Sequence, residues 1–181
     1  VRGERRKVLQ VVISLDENQE YVDFGVRNVN DVSSKEIIDS LLRAGLFGYI
    51  NQLPYAISTN PDVLPKGIFI SALRDKPLAC DFEYELIGNE IDFQTGLTAL
   101  SRISKTYLGI GRNQCSESLR RVKDVEVNIF DGPCPAGNVG VQINHINPVN
   151  KGDVVWTVDP TTVIYIGRLF NKGKVDLHHT I

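Results

Sequence analysis

Methionine is absent from all 181 residues, and cysteine is scarce. Cys80, Cys115 and Cys134 form an odd set, widely spaced and without a CxxC pair, so they suggest neither a zinc site nor a thioredoxin-like motif. Reduced thiols of a cytosolic protein are the simpler reading. No apolar run approaches the ~20 residues that cross a bilayer. No charge excess exists either: 20 basic residues face 22 acidic ones, for a net charge of −2. That balance argues against a protein built mainly to hold nucleic acid or to coat anionic lipid. HExxH, GxSxG, Walker and paired-carboxylate patterns are all missing. The opening VRGERRKVLQVVISL is basic but lacks a signal-peptide core and cleavage site. With Val1 first and no methionine, the sequence reads as a piece excised from a longer protein.

What is present is ordinary globular material: 42% apolar and 23% charged residues, with 15 glycines and 8 prolines. A chain of this length buries roughly 70% of the surface its unfolded form exposes, so it needs no disulfide or metal staple. The alternation Leu9, Val11, Ile13, Leu15 predicts a strand over residues 8–15, read as the tail of a preceding β domain. A polar linker follows to residue 30. Ser33 and Glu36 form a capping box, Val32 can staple on Ile37, and Ile37, Ile38, Leu41, Leu42 and Leu46 supply a helical stripe. Residues 51–66 contain Pro54, Pro61 and Pro65 and are expected to form no regular element.

GIFISAL, residues 67–73, reads as a strand buried on both sides. A long helix is expected over residues 83–103, with Ile87, Ile91, Phe93, Leu97 and Leu100 on its buried face and Gly88 and Gly96 weakening it. Strands are expected at 107–111, 125–130 and 154–158, with short helices near 116–121 and 141–146. A final helix is marked by Asp159 as N-cap, Pro160 as first residue and Gly173 as stop. Alternating strands and helices define an α/β fold: a Rossmann-like, mostly parallel sheet with helices on both faces, preceded by the N-terminal β segment. The expected organisation is residues 1–30 as domain tail and linker, 31–175 as the α/β domain, and 176–181 as the start of a following domain.

The nearest approach to a nucleotide motif is Gly109-Ile110-Gly111 with Asp131 twenty positions on, but Gln114 stands where the third glycine belongs. Too few residues separate Gly111 from the next strand for a full crossover helix, so tight turns at a strand end are the better reading. The loop after residue 131 carries Gly132, Pro133, Cys134, Pro135, Ala136 and Gly137. Its amides suit an anion, while its prolines suit an interface or a rigid turn. Interface or structure is favoured, because no histidine or basic residue close in sequence activates Cys134. His145, His178 and His179 assemble no visible site. The clusters Arg2/Arg5/Arg6/Lys7 and Arg120/Arg121/Lys123 read as solvated faces, or secondarily as a protein contact. Gln52, Leu53, Pro54, Tyr55, Ala56 and Ile57 form a cluster that would suit a quinone headgroup and tail, or would pin a long loop to the core.

GPCPAG, the INPV turn and VVWTVDPTTVIYIGRLFNKG, with RGERRKVLQVVI, LLRAGLFGYI, IFISALRDKPLACD and GLTALSRI before them, resemble one family over essentially the whole chain. It is the A subunit of the sodium-translocating NADH:quinone reductase, related in fold to the flavoprotein subunit of respiratory complex I. The chain departs from that pattern at Cys134, where the family often has histidine, and at Gln142 and Asn144, where a His-x-His pair is common. The resemblance implies a peripheral component on the cytoplasmic face of the bacterial inner membrane, reaching the membrane only through partner subunits. It implies no cofactor in this chain, with flavins and iron–sulfur centres carried by other subunits, and ubiquinone as a candidate contact of residues 52–57. Where the complex I relative has its glycine-rich flavin loop, this chain has Asn51-Gln52-Leu53-Pro54-Tyr55, without glycine. The competing expectation is a stand-alone Rossmann-like oxidoreductase that binds flavin or NADH.

Overall fold

The computed structural model describes residues 10–15, 17, 18 and 20–179. Six strands, β1 (Ile50–Leu53), β2 (Ile57–Ser58), β3 (Ile68–Ser71), β4 (Thr106–Gly111), β5 (Glu126–Phe130) and β6 (Val155–Val158), form one sheet in the order β2-β1-β6-β3-β4-β5. β6, β3, β4 and β5 are parallel, while β1 and β2 are antiparallel additions on one edge. The helices are α1 (Ser34–Arg43), α2 (Phe82–Leu86), α3 (Glu90–Ser101), α4 (Glu117–Arg120), α5 (Val139–Ile146) and α6 (Pro160–Lys172).

Strand alternation divides the core in two. Ile68 and Ile70, Leu108 and Ile110, and Trp156 and Val158 point into the larger layer with α1, α3 and α6. Phe69, Tyr107 and Val155 point to the other face and meet Ile143 of α5. Phe69 and Tyr107 stack across β3 and β4 with ring centroids 4.7 Å apart. Trp156 is fully buried on the central strand β6 and meets Phe47 edge-on at 5.6 Å. The helices therefore cover both faces, as the α/β reading expects.

Local signals hold where caps decide them. Ser33 and Glu36 close a reciprocal capping box on α1, and Asp159 caps α6, which ends at Gly173 in the left-handed region. The helix expected over 83–103 is instead two helices. Gly88, at φ +79°, turns the chain between α2 and α3 and the Asn89 side-chain amide donates to the Glu85 carbonyl, so Ile87 and Ile91 face solvent rather than the core. Residues 51–66 are not wholly irregular: β1 and β2 make a hairpin, because Pro54 falls in its turn and Pro61 and Pro65 lie beyond its strands. α1 stops at Arg43, and Leu46 enters the core from a 3-10 turn, Leu46–Tyr49, instead. β5 is not apolar on both sides, as an edge strand need not be.

The expected strand over 8–15 is not formed across residues 10–15, which pair with no other described segment and expose Val11, Val12, Ile13 and Leu15. Val8, Leu9 and the cluster Arg2/Arg5/Arg6/Lys7 lie outside the described residues. The stretch read as a linker is tied down: Phe24 N–H donates to the Gly173 carbonyl, Arg27 N–H to the Phe170 carbonyl, and the Arg27 guanidinium to Ser40.

α3 and α6 cross with almost no space between their backbones. A methyl on Gly167 would lie 1.7 Å from the Asp92 carbonyl oxygen, and one on Gly96 would lie 2.0 Å from that of Val163. Gly96 thus costs helix propensity but, with Gly167, permits this close helix crossing. Beside this crossing, buried Arg168 donates to Asn89 Oδ1 at 2.7 Å and to the His178 carbonyl, and pairs with Asp92 and Asp176 at 3.5 Å each. Burial raises the pKa of the Asp176 carboxyl. Hydrogen bonds from Lys172 and His178 and the charge of Arg168 outweigh burial and hold it well below the usual carboxylate range.

Two outcomes follow. Gly167→Ala should destabilise the protein by about 1–3 kcal/mol or more, whereas Gly48→Ala, with nothing within 4 Å of the added methyl, should stay within about 0.5 kcal/mol of wild type; chemical denaturation distinguishes them. The folded pKa of Asp176 lies below its unfolded one, so its contribution is complete above the unfolded value and is lost as pH falls through the folded one. Asp176→Asn should therefore lower stability at pH 7, and the gap to wild type should narrow below about pH 4 when unfolding is followed across the acid range.

Candidate functional site

In open α/β sheets, ligands lie beyond the carboxyl ends of parallel strands, where the strand order reverses. Here that place is between β3 and β6: β3 leads outward to β4, whereas β6 on its other side is reached only after β5. A crevice of about 400 Å³ opens there, lined by Ser71, Arg74, Lys76, Thr157 and Asp159 above an apolar floor that includes Leu73 and Val139. A second crevice of about 390 Å³ lies beyond β4 and β5, between Asp81, Glu83, Gln114 and Asp131.

Much of this edge is occupied by the chain's own side chains. Arg74 pairs with Glu85 at 2.9 Å and with Asp159 at 3.2 Å, donates to Thr161 Oγ1 at 2.7 Å, and lies over the Phe82 ring. Asp159 also accepts from Thr161 N–H, so one carboxylate caps α6 and holds the arginine. Two carboxylates satisfy the Arg74 cation, which leaves it poorly disposed to take a phosphate. The other Glu85 oxygen is buried without a partner among the described residues.

The glycines of the partial nucleotide motif serve internal packing. A methyl on Gly109 would lie 2.0 Å from the side-chain oxygen of Gln142. One on Gly111 would lie 2.9 Å from the Leu73 side chain. Gln114 folds back over the turn: its Oε1 accepts from Gly111 N–H at 2.7 Å and its Nε2 donates to the Ala72 carbonyl at 3.0 Å. Asp131, at the spacing a ribose-binding acid would have, pairs with Arg112 at 2.9 Å.

The loop of Gly132, Pro133, Cys134, Pro135, Ala136 and Gly137 is clasped to the end of β3. Asp75 accepts from Gly137 N–H at 2.8 Å, and Ser71 Oγ donates to the Gly137 carbonyl at 2.9 Å. Buried Gln142 donates to both Ser71 Oγ and the Ala136 carbonyl, at 2.9 and 3.0 Å. In the sequence Gln142 stands out only as a departure from a family histidine; its packing against Gly109 gives it a structural role. Asn144 and His145 are exposed on the same helix.

Gln52, Leu53, Pro54, Tyr55, Ala56 and Ile57 form the β1–β2 hairpin. β1 runs antiparallel to β6, so this tip lies at the opposite end of the sheet from the crevice. Tyr55 is 80% exposed, and Pro54, Ala56 and Ile57 also face solvent. Leu53 packs against the Phe69 cluster, and Gln52 accepts from Asn60 N–H at 3.3 Å. The three cysteines are exposed and free, and no cluster of three His, Cys, Asp or Glu suits a metal among the described residues. His178 pairs with Asp176, and His179 meets the Tyr165 hydroxyl, whose pKa burial and the Glu85 charge raise. The sequence does not signal the Arg74–Glu85–Asp159 cluster; its nearest hint is an arginine just past the GIFISAL strand.

Gln142→Leu strips the Gln142 donor from the Ala136 carbonyl and from the Ser71 hydroxyl, which keeps its own bond to Gly137, so it should cost about 1–3 kcal/mol. Hydrogen exchange should quicken across residues 132–138 while α6 stays protected.

Comparison with known proteins agrees with the α/β architecture. Residues 32–175 match the family described as the NqrA second alpha/beta domain. The A subunit of the Na(+)-translocating NADH-quinone reductase of Pseudomonas aeruginosa is 33% identical over 96% of this chain and 39% of the relative. Its counterpart of the same name from Yersinia pseudotuberculosis is also 33% identical, over 96% of this chain and 40% of its own length. That of Hahella chejuensis is 28% identical over 99% of this chain and 41% of its own. The chain thus spans about two fifths of the length of these curated relatives. With most of its length matched to the family pattern, the chain belongs to the NqrA second alpha/beta domain family.

Proposed function

We propose that this domain serves, without a redox group of its own, within the A subunit of a sodium-translocating NADH:quinone reductase. In that reading the assembled complex passes electrons from NADH to ubiquinone and exports sodium ions, while flavins and iron–sulfur centres sit in other subunits. The observation that carries it is the packing of Gln142 against Gly109 and of Gln114 over Gly111. Those glycines let a backbone approach a pyrophosphate in dinucleotide folds; here protein side chains take that space. The saturated Arg74 and the absence of a cysteine cluster from the sequence support the same reading.

Membrane attachment falls to partner subunits at the cytoplasmic face of the bacterial inner membrane. In keeping with this, no described helix is long and apolar enough to cross a bilayer. The rigid loop of residues 132–137 is proposed as an interface, and the hairpin of residues 52–57 as a quinone-proximal surface. Its exposed Tyr55 ring and Ile57 offer apolar contact beside the Gln52 amide. Both are testable in the assembled reductase. Tyr55→Ala should raise the KM for a short-chain ubiquinone several-fold and leave the KM for NADH unchanged; an unaltered quinone KM rejects the hairpin assignment. The purified domain should be colourless and should not bind flavin mononucleotide or NADH in calorimetry, and saturable binding of either would favour the stand-alone oxidoreductase instead.

A further inference from the structure

Leu78 is an anomaly. Its side chain is fully exposed, and its backbone sits at φ +62°, a left-handed conformation that non-glycine residues rarely adopt. A surface leucine held in a disfavoured backbone gains nothing from burial in this chain, and such outliers persist where the surroundings enforce them and function uses them. A local turn enforces it: Ala79 N–H donates to the Lys76 carbonyl at 3.0 Å, and Pro77 at the second position sets Leu78 at the third, where such turns require a positive φ. The β3–α2 loop is fixed on one side by Arg74 in its two ion pairs and by the Asp75–Gly137 hydrogen bond. On the other it is fixed by Asp81, which caps α2.

The same loop lies between the two ends of the proline loop. Ala79 lines the first crevice with Gly137 and the second with Gly132. The two loops therefore form one rim at the carboxyl edge of the sheet, with Pro77, Leu78, Pro133, Cys134 and Pro135 all exposed. Proline fixes φ, and the clasp of Ser71, Asp75 and Gln142 fixes the loop, so little order remains to be gained on contact. The two crevices carry Asp75, Asp81, Glu83, Asp131 and Asp159 against Arg74, Lys76 and Arg112, with Arg74 paired to Asp159 and Arg112 to Asp131. A net acidic margin without tryptophan does not suit an anionic lipid surface, which calls for basic and aromatic residues. It suits a protein that offers an apolar socket with basic edges.

We infer that this rim is a docking surface for another protein subunit of the same complex, with Leu78 as the apolar anchor. The inference rests on the proposed function, because the relatives are named as one lettered subunit of a reductase. It adds to the interface already proposed at residues 132–137 a second loop, an anchor residue and the chemistry of the partner's face.

The test uses the full polypeptide that carries this chain, copurified with the other reductase subunits. Leu78→Asp should reduce recovery of the partner subunits at least about tenfold, with the thermal midpoint of the variant near that of wild type. Leu78→Gly relieves the backbone conformation, so it should raise that midpoint while still weakening association. Ile91→Asp, at an exposed position elsewhere, should assemble normally. If wild type copurifies with the subunits and Leu78→Asp does so equally well, the rim is not the docking surface. If wild type itself fails to copurify, the proposed function has failed and takes this inference with it. Sedimentation showing a wild-type homodimer that Leu78→Asp abolishes, or flotation with phosphatidylglycerol vesicles that Leu78→Asp abolishes, would overturn the inference in favour of a second copy or a lipid surface.

Discussion

The backbone contact between α3 and α6 governs the arrangement of the larger layer. Because Gly96 and Gly167 leave no side-chain volume between the helices, α6 lies close against α3. Its N-terminus then emerges at the end of β6 with Asp159 in reach of Arg74. Lower on the same helix, Arg168 meets Asn89 and Asp92 at the start of α3 and gathers the C-terminal segment through Asp176 and the His178 carbonyl. A buried guanidinium is tolerable only when its charge is matched, and this one draws partners from two stretches of chain. Removing one partner would leave the cation exposed to an apolar interior, so the cluster couples positions far apart in sequence.

Elements written in nearest-neighbour chemistry were legible beforehand. The capping box of α1 and the Asp159, Pro160 and Gly173 signals of α6 each involve residues within a turn of a helix end. The break between α2 and α3 was not legible, because Gly88 reads as a weak helix residue until its positive φ is known. Nor was the β1–β2 hairpin: three prolines argued against strands, and only the register of β1 against β6 shows that all three avoid the ladders. Ile87 and Ile91 fit a helical face on paper and lie on the surface in fact, since periodicity does not reveal where a helix stops.

The site divides in the same way. Gln114 could be recognised as an intruder in a glycine motif from sequence alone, and its hydrogen bonds to Gly111 and across to Ala72 give the reason. The Arg74 cluster could not be found, because Glu85 and Asp159 stand 11 and 85 positions away. Gln142 was visible as an exception to a family pattern but not as a clasp. A side chain that fills the hollow over Gly109 and holds the Ala136 carbonyl does two jobs that no spacing rule records.

Trp156 has a practical meaning of its own. The chain's lone indole is sealed within the sheet, its ring against Phe47 and its strand flanked by β1 and β3. Its emission is therefore a gauge of whether the sheet is intact, and it is shielded from events at the rim or the hairpin tip. A fluorophore so placed gives a clean optical readout of folding in which ligand or partner contacts at the periphery contribute little signal.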